Sequence, residues 1–107
     1  MTAAKRMAHA QAEIEALVLD APPMRELQDE LRRYPVRLLR QLAAEFRRRQ
    51  GVVPDHALEL APYVGETALR ALVASGLAEQ VLSPYAVRAY KPTQRALDLL
   101  QRLAREA

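Results

Sequence analysis

The stretch from Pro62 to Ala96, PYVGETALRALVASGLAEQVLSPYAVRAYKPTQRA, limits what this chain can fold into more than any other. It reads as a short helix, two short segments rich in Val, Leu, Ala and Tyr, and the opening of a second helix. On the first helix Leu69, Leu72 and Val73, joined by Val64 and Ala68, share one face and leave Glu66, Thr67, Arg70 and Ala74 on the other. Its start has two readings. Either Pro62 opens it and Gly65 lies inside, at about 1 kcal/mol relative to alanine, or residues 62–65 form a turn and the helix spans Glu66 to Ser75, the preferred reading. Gly76 then supplies a left-handed closing residue, and Leu77 turns back onto the core. Ala78–Leu82 and Ala86–Lys91 pair as a hairpin around Ser83-Pro84-Tyr85, without the Asn-Gly or Asp-Gly dipeptide of the tightest turns. Pro92 ends the second strand, and Thr93 caps QRALDLLQRLARE, whose Leu97, Leu100, Leu103 and Ala104 form a stripe.

The residues before this stretch are predicted to be helical. From a cap at Thr2, AAKRMAHAQAEIEALVL favours helix until Asp20-Ala21-Pro22-Pro23 stops it. Met7, Ala10, Ile14 and Leu17 make a seam with coiled-coil spacing over fewer than two heptads. That seam either packs on its own domain or pairs with a second subunit. Met24–Tyr34 is expected as a short amphipathic helix carrying Leu27, Leu31 and Tyr34, and Pro35 as the first turn of a separate helix that ends at Gly51. Leu38, Leu39, Leu42 and Phe46 form that helix's buried stripe. Val52-Val53 suits a short extended segment, and Pro54 to Leu60 or Ala61 a brief helix. The expectation is one domain over residues 1–107, mainly α with a small β-hairpin (α+β), in which residues 1–34 are an N-terminal helical extension and 35–107 the core.

Composition removes several function classes. A chain of 107 residues buries one modest core, and with one Phe and no Trp that core is built from closely packed helices. There is no cysteine, hence no disulfide and no thiol nucleophile. His9 and His56 stand far apart without a second ligand at metal-binding spacing. No glycine-rich phosphate loop, no nucleophile with a matching histidine and no spaced carboxylate cluster is present, so neither an enzyme nor a cofactor is expected. The longest apolar run, Ala16 to Leu19, is far short of the roughly 20 residues that span a bilayer, and a cytoplasmic protein is expected.

Charge is unevenly spread over a net +3. Residues 32–49 hold seven basic residues against one acidic, whereas 50–79 hold one against four and 80–107 five against two. Arg33, Arg37, Arg40 and Arg47 recur at near-helical spacing, and Arg47-Arg48-Arg49 closes their helix. Such a stripe is either a solvated face near a helix C-terminus or a phosphate-contacting surface.

Two segments carry a family resemblance. Ala68-Leu69-Arg70-Ala71-Leu72-Val73-Ala74-Ser75-Gly76-Leu77-Ala78-Glu79 looks like the end of a recognition helix turning into a wing strand. Tyr90-Lys91-Pro92-Thr93-Gln94-Arg95-Ala96-Leu97 is similar to the Tyr-x-Leu-Thr-x-x-Gly-x segment where the second wing strand meets the last helix. Over about residues 35 to 105 the chain thus resembles the winged helix-turn-helix domains of bacterial transcription regulators of the MarR, PadR and ArsR sort. It departs from them at Pro92, at Ala96 and in a short reading helix with few base-reading side chains. The resemblance implies a dimeric regulator that binds duplex DNA. Thr67 and Arg70 would enter the major groove, Arg88 and Lys91 on the wing would meet phosphate or minor groove, and Arg37, Arg40, Arg47, Arg48 and Arg49 would hold the backbone. Tyr63 and Tyr85 would either add phosphate hydrogen bonds or pack their rings on the domain. Met7, Ile14, Leu17, Leu100 and Leu103 are the candidate dimer contacts. The alternative is a winged domain that docks a basic protein partner through Glu59 and Glu66.

Overall fold

The computed structural model describes residues 2–82 and 87–106. The chain is mostly helical with a three-stranded antiparallel sheet, in the order α1 (Ala3–Asp20), α2 (Pro22–Arg49), β1 (Val53–Pro54), a 3-10 turn (Asp55–Ala57), α3 (Gly65–Ala74), β2 (Ala78–Leu82), β3 (Arg88–Pro92) and α4 (Gln94–Glu106). It divides into two units, residues 1–32 and 33–107.

In the first unit, Thr2 caps α1 by accepting the Lys5 N–H at 3.3 Å. A single residue, Ala21, separates α1 from α2; its N–H bonds back to the Val18 carbonyl at 3.1 Å, and its own carbonyl accepts Met24 and Arg25 N–H groups at 3.0 Å. Pro22 and Pro23 do end α1, and they also begin α2, where a missing N–H costs nothing. Arg25 pairs with Asp20 across this corner. No residue of α1 is buried.

The predicted break at Pro35 is overturned: α2 runs unbroken through it. Proline inside a helix forfeits the bond to the carbonyl four residues back and costs about 3 kcal/mol. Residues 31–33 are exposed, so solvent is at hand for the Leu31 carbonyl, while buried Tyr34, Leu38, Leu39 and Leu42 hold the helix on its course. The expected Leu27 and Leu31 stripe is also corrected, since both stay nearly half exposed. The left-handed residue that closes α2 is Gln50, with φ 55°, and not Gly51, whose N–H returns to Phe46 at 3.3 Å.

The second unit holds the core. Leu38 and Leu42 of α2, Val53 of β1 and Leu69 of α3 are its most buried large side chains, joined by Leu58, Leu72, Ala78, Tyr90 and Ala96. The sheet order is β1-β3-β2, with Val53 opposite Tyr90, Gln80 opposite Tyr90 on the other side, and Ala78 opposite Pro92. A two-stranded hairpin thus gains a third strand, because Val53 is apolar enough to be fully buried against the central strand. The brief helix expected over Pro54 to Ala61 shrinks to the 3-10 turn. Pro54 is taken into β1, Leu58 is extended, and the Tyr34 hydroxyl takes the place of helical bonds, accepting the Ala61 N–H at 2.9 Å and donating to the Glu59 carbonyl at 3.5 Å. The second hairpin strand is Arg88–Pro92, not Ala86–Lys91; Ser83, Pro84, Tyr85 and Ala86 lie outside the described residues.

Candidate nucleic-acid interface

The outer face of α3 is defined by how both of its ends are made. Before it, the Val64 N–H donates to Pro62 and the Gly65 N–H to Ala61, both at 2.8 Å, in a turn over residues 62–64, so that α3 starts at Gly65 and ends at Ala74, each one residue earlier than the preferred reading. Gly65 is needed for close approach: a Cβ there would lie 2.6 Å from the Leu60 Cβ. At the other end the Leu77 N–H reaches the Leu72 carbonyl at 2.9 Å and the Gly76 N–H the Val73 carbonyl at 3.1 Å, with Gly76 at φ 77°. This is the paired closing arrangement that glycine favours. Leu69 and Leu72 point into the core, so Glu66, Thr67 and Arg70 are exposed.

Thr93 joins the two segments that carry the resemblance. Its hydroxyl donates to the Gly76 carbonyl at 2.8 Å and accepts the Ala96 N–H at 3.2 Å, and its backbone N–H donates to Leu77 at 3.1 Å. The cap expected for α4 therefore also fastens α4 to the end of α3.

The predicted contact residues fall into different settings. Arg88, at the start of β3, bridges two carboxylates, Glu66 of α3 at 3.2 Å and Asp55 of the 3-10 turn at 3.7 Å. It thereby ties β3 to the first turn of α3. The Tyr90 hydroxyl belongs to the same cluster; burial pushes its pKa above the ordinary phenol value, with Glu66 and Asp55 adding to the rise and Arg88 opposing it. Lys91 pairs with Glu79 across the sheet at 3.3 Å. On α2, Arg48 and Arg49 both bind Glu45, at 2.7 and 3.0 Å, and these hydrogen bonds hold the Glu45 carboxyl below its usual pKa. Arg37 lies 5.9 Å from the centroid of the Tyr34 ring. Arg40 and Arg47 line hollows between α2 and α4, and neither has an ion pair with any described residue. Arg70 likewise has none. The Arg88–Glu66 pair thus ties β3 to the helix that carries Thr67 and Arg70, whereas Arg40 and Arg47 line hollows with residues of α4. Of the dimer candidates, Met7, Ile14 and Leu17 are 72, 62 and 69% exposed, Leu100 packs partly on the core and Leu103 is half-buried.

One feature carried no signal in the pattern of the sequence. Tyr63 is fully exposed and left-handed, with φ 69°, in the turn before α3. A non-glycine residue there costs about 1–2 kcal/mol, and the two hydrogen bonds of the turn together with the fit of Gly65 on Leu60 hold it in place. Among the described residues no helix is long and apolar enough to cross a membrane, and no group of His, Asp and Glu side chains is placed to hold a metal. No family model, curated protein or solved structure matches this chain.

Proposed function

We propose that this chain is a cytoplasmic winged-helix protein that binds duplex DNA as a homodimer and regulates transcription. The observation that carries the reading is the outer face of α3, which exposes Thr67 and Arg70, the latter without an ion pair among the described residues, and whose first turn is joined to β3 by the Arg88–Glu66 pair. An exposed helix flanked by a small antiparallel sheet is the form that enters a major groove while the sheet meets the backbone. Arg70 is the side chain suited to a bidentate contact with guanine. Arg88 reaches phosphate by exchanging Glu66 for it, and Arg48 and Arg49 by exchanging Glu45.

A salt series with a labelled duplex tests this. Binding should weaken steeply with salt, because each neutralised phosphate releases condensed counterions. Arg70→Ala should lower affinity about tenfold, and Glu66→Gln should raise it by releasing Arg88. Undetectable binding at low salt, or binding indifferent to salt, rejects the reading.

One observation favours a second reading, a protein-docking module. Asp55 and Glu66 already neutralise Arg88, and Glu59 is exposed nearby in sequence, which leaves the surface before α3 acidic. Glu66→Lys separates the two: it strengthens DNA binding in the first case and weakens capture of a basic partner in the second.

A further inference from the structure

Two of the described tyrosines serve the fold. Tyr34 and Tyr90 are buried, the Tyr34 hydroxyl holds Glu59 and Ala61, and the Tyr90 hydroxyl belongs to the Arg88 cluster. Tyr63 does neither. Its ring is fully exposed, and its hydroxyl has no hydrogen bond with any described residue. Of the two roles the sequence leaves open to it, packing on the domain is thereby removed.

Nor does the backbone call for a tyrosine at this position. The left-handed conformation, φ 69°, is set by the neighbours: the Val64 and Gly65 N–H groups return to Pro62 and Ala61 at 2.8 Å, and Gly65 meets Leu60 too closely for a Cβ. Glycine adopts that conformation freely, and asparagine more readily than a bulky side chain. A large aromatic ring is thus held in solvent against its own conformational preference, and no contact within the fold accounts for it. Such an outlier points to a ligand.

The ligand follows from the position in the chain. Tyr63 precedes Thr67 by four residues, which keeps their Cα atoms within about 14 Å, and the major groove of a duplex is about 12 Å wide. With the N-terminal half of α3 in the groove, a residue of the preceding turn is within reach of a groove wall, which is phosphate and sugar. A phenol is an uncharged donor that phosphate oxygens accept. We infer that Tyr63 is a backbone contact of the duplex, its hydroxyl donating to a phosphate oxygen beside the groove that α3 enters. The inference rests on the DNA reading of α3 and adds to it a contact of a distinct kind. Being neutral, it releases no counterion; being made to phosphate, it reads no base.

The full chain and a labelled duplex of arbitrary sequence test this, since a phosphate contact needs no particular operator. Tyr63→Phe removes only the hydroxyl. It should weaken binding about fivefold at every salt concentration, equally on duplexes of unrelated sequence, and leave the slope of log affinity against log salt unchanged. Tyr63→Lys puts a charge at the same point and should steepen that slope by about one. Tyr63→Gly relieves the left-handed strain. It should weaken binding at least as much as Tyr63→Phe while its thermal midpoint equals or exceeds that of the wild type, a combination that a tyrosine needed only by the fold does not give. Tyr63→Phe binding as tightly as wild type, a Tyr63→Lys slope like that of the wild type, or a midpoint that falls in Tyr63→Gly overturns the inference. A loss confined to particular duplex sequences overturns it too, because it marks a base contact. Arg70→Ala keeps the two readings apart. A chain that binds duplex, is weakened by Arg70→Ala and is indifferent to Tyr63→Phe fails at this contact alone, whereas a wild type without salt-dependent affinity fails the DNA reading and this contact with it.

Discussion

The first and second units use similar helical sequence in different ways. Through α1, the first unit presents apolar side chains to solvent and is held by local bonds: the Thr2 cap, the Ala21 corner and the Asp20–Arg25 pair. The second draws its buried residues from α2, β1, α3, β2, β3 and α4, separated by tens of positions. An apolar stripe at helical spacing is therefore common to both, while burial occurs in only one. Helices alone in water owe little to such a stripe; its worth lies in what covers it.

The largest expected effect tests that contrast directly. Leu42 is completely buried, and Leu42→Ala should cost about 3 kcal/mol of unfolding free energy, whereas Ile14→Ala should cost under about 0.5. Urea titration at a concentration low enough to keep the chain monomeric measures both; equal losses would erase the distinction between the units. Next in size is Gly65→Ala, where the new methyl meets Leu60 at 2.6 Å and something must shift. A loss of about 2 kcal/mol is expected in the second unit, read as a lower midpoint in thermal unfolding with the helical signal of α1 unaffected.

The smallest is a pH effect. The pKa of Tyr90 is raised in the folded state, so the stability it contributes is complete below the ordinary phenol value, 10.0, and is lost as pH climbs through the folded value. Denaturant midpoints above pH 10 should fall in the wild type and fall less in Tyr90→Phe.

Reading the sequence located elements whose signals are local. The cap at Thr2, the end of α1 before two prolines, the turn before α3 and the left-handed Gly76 all follow from neighbours within a few positions. Elements decided by distant contacts were not legible. Pro35 stays inside α2 because Tyr34, Leu38 and Leu39 are buried around it, and Val53, expected only as extended, joins the sheet because Tyr90 lies opposite. The same holds for the candidate interface. The arginines of α2 form one row in the sequence, but Glu45 claims two of them, the ring of Tyr34 adjoins a third and two more line hollows with residues of α4. Charge counted along a chain does not show which cations are already engaged, and the Arg88 bridge to Asp55 and Glu66 spans 22 positions or more.

Thr93 serves two helices. With its hydroxyl on Gly76 and its N–H on Leu77, the last turn of α3 and the first turn of α4 share one anchor. One threonine hydroxyl therefore holds two helix ends at once, and its removal frees the Gly76 carbonyl and the first turn of α4 together.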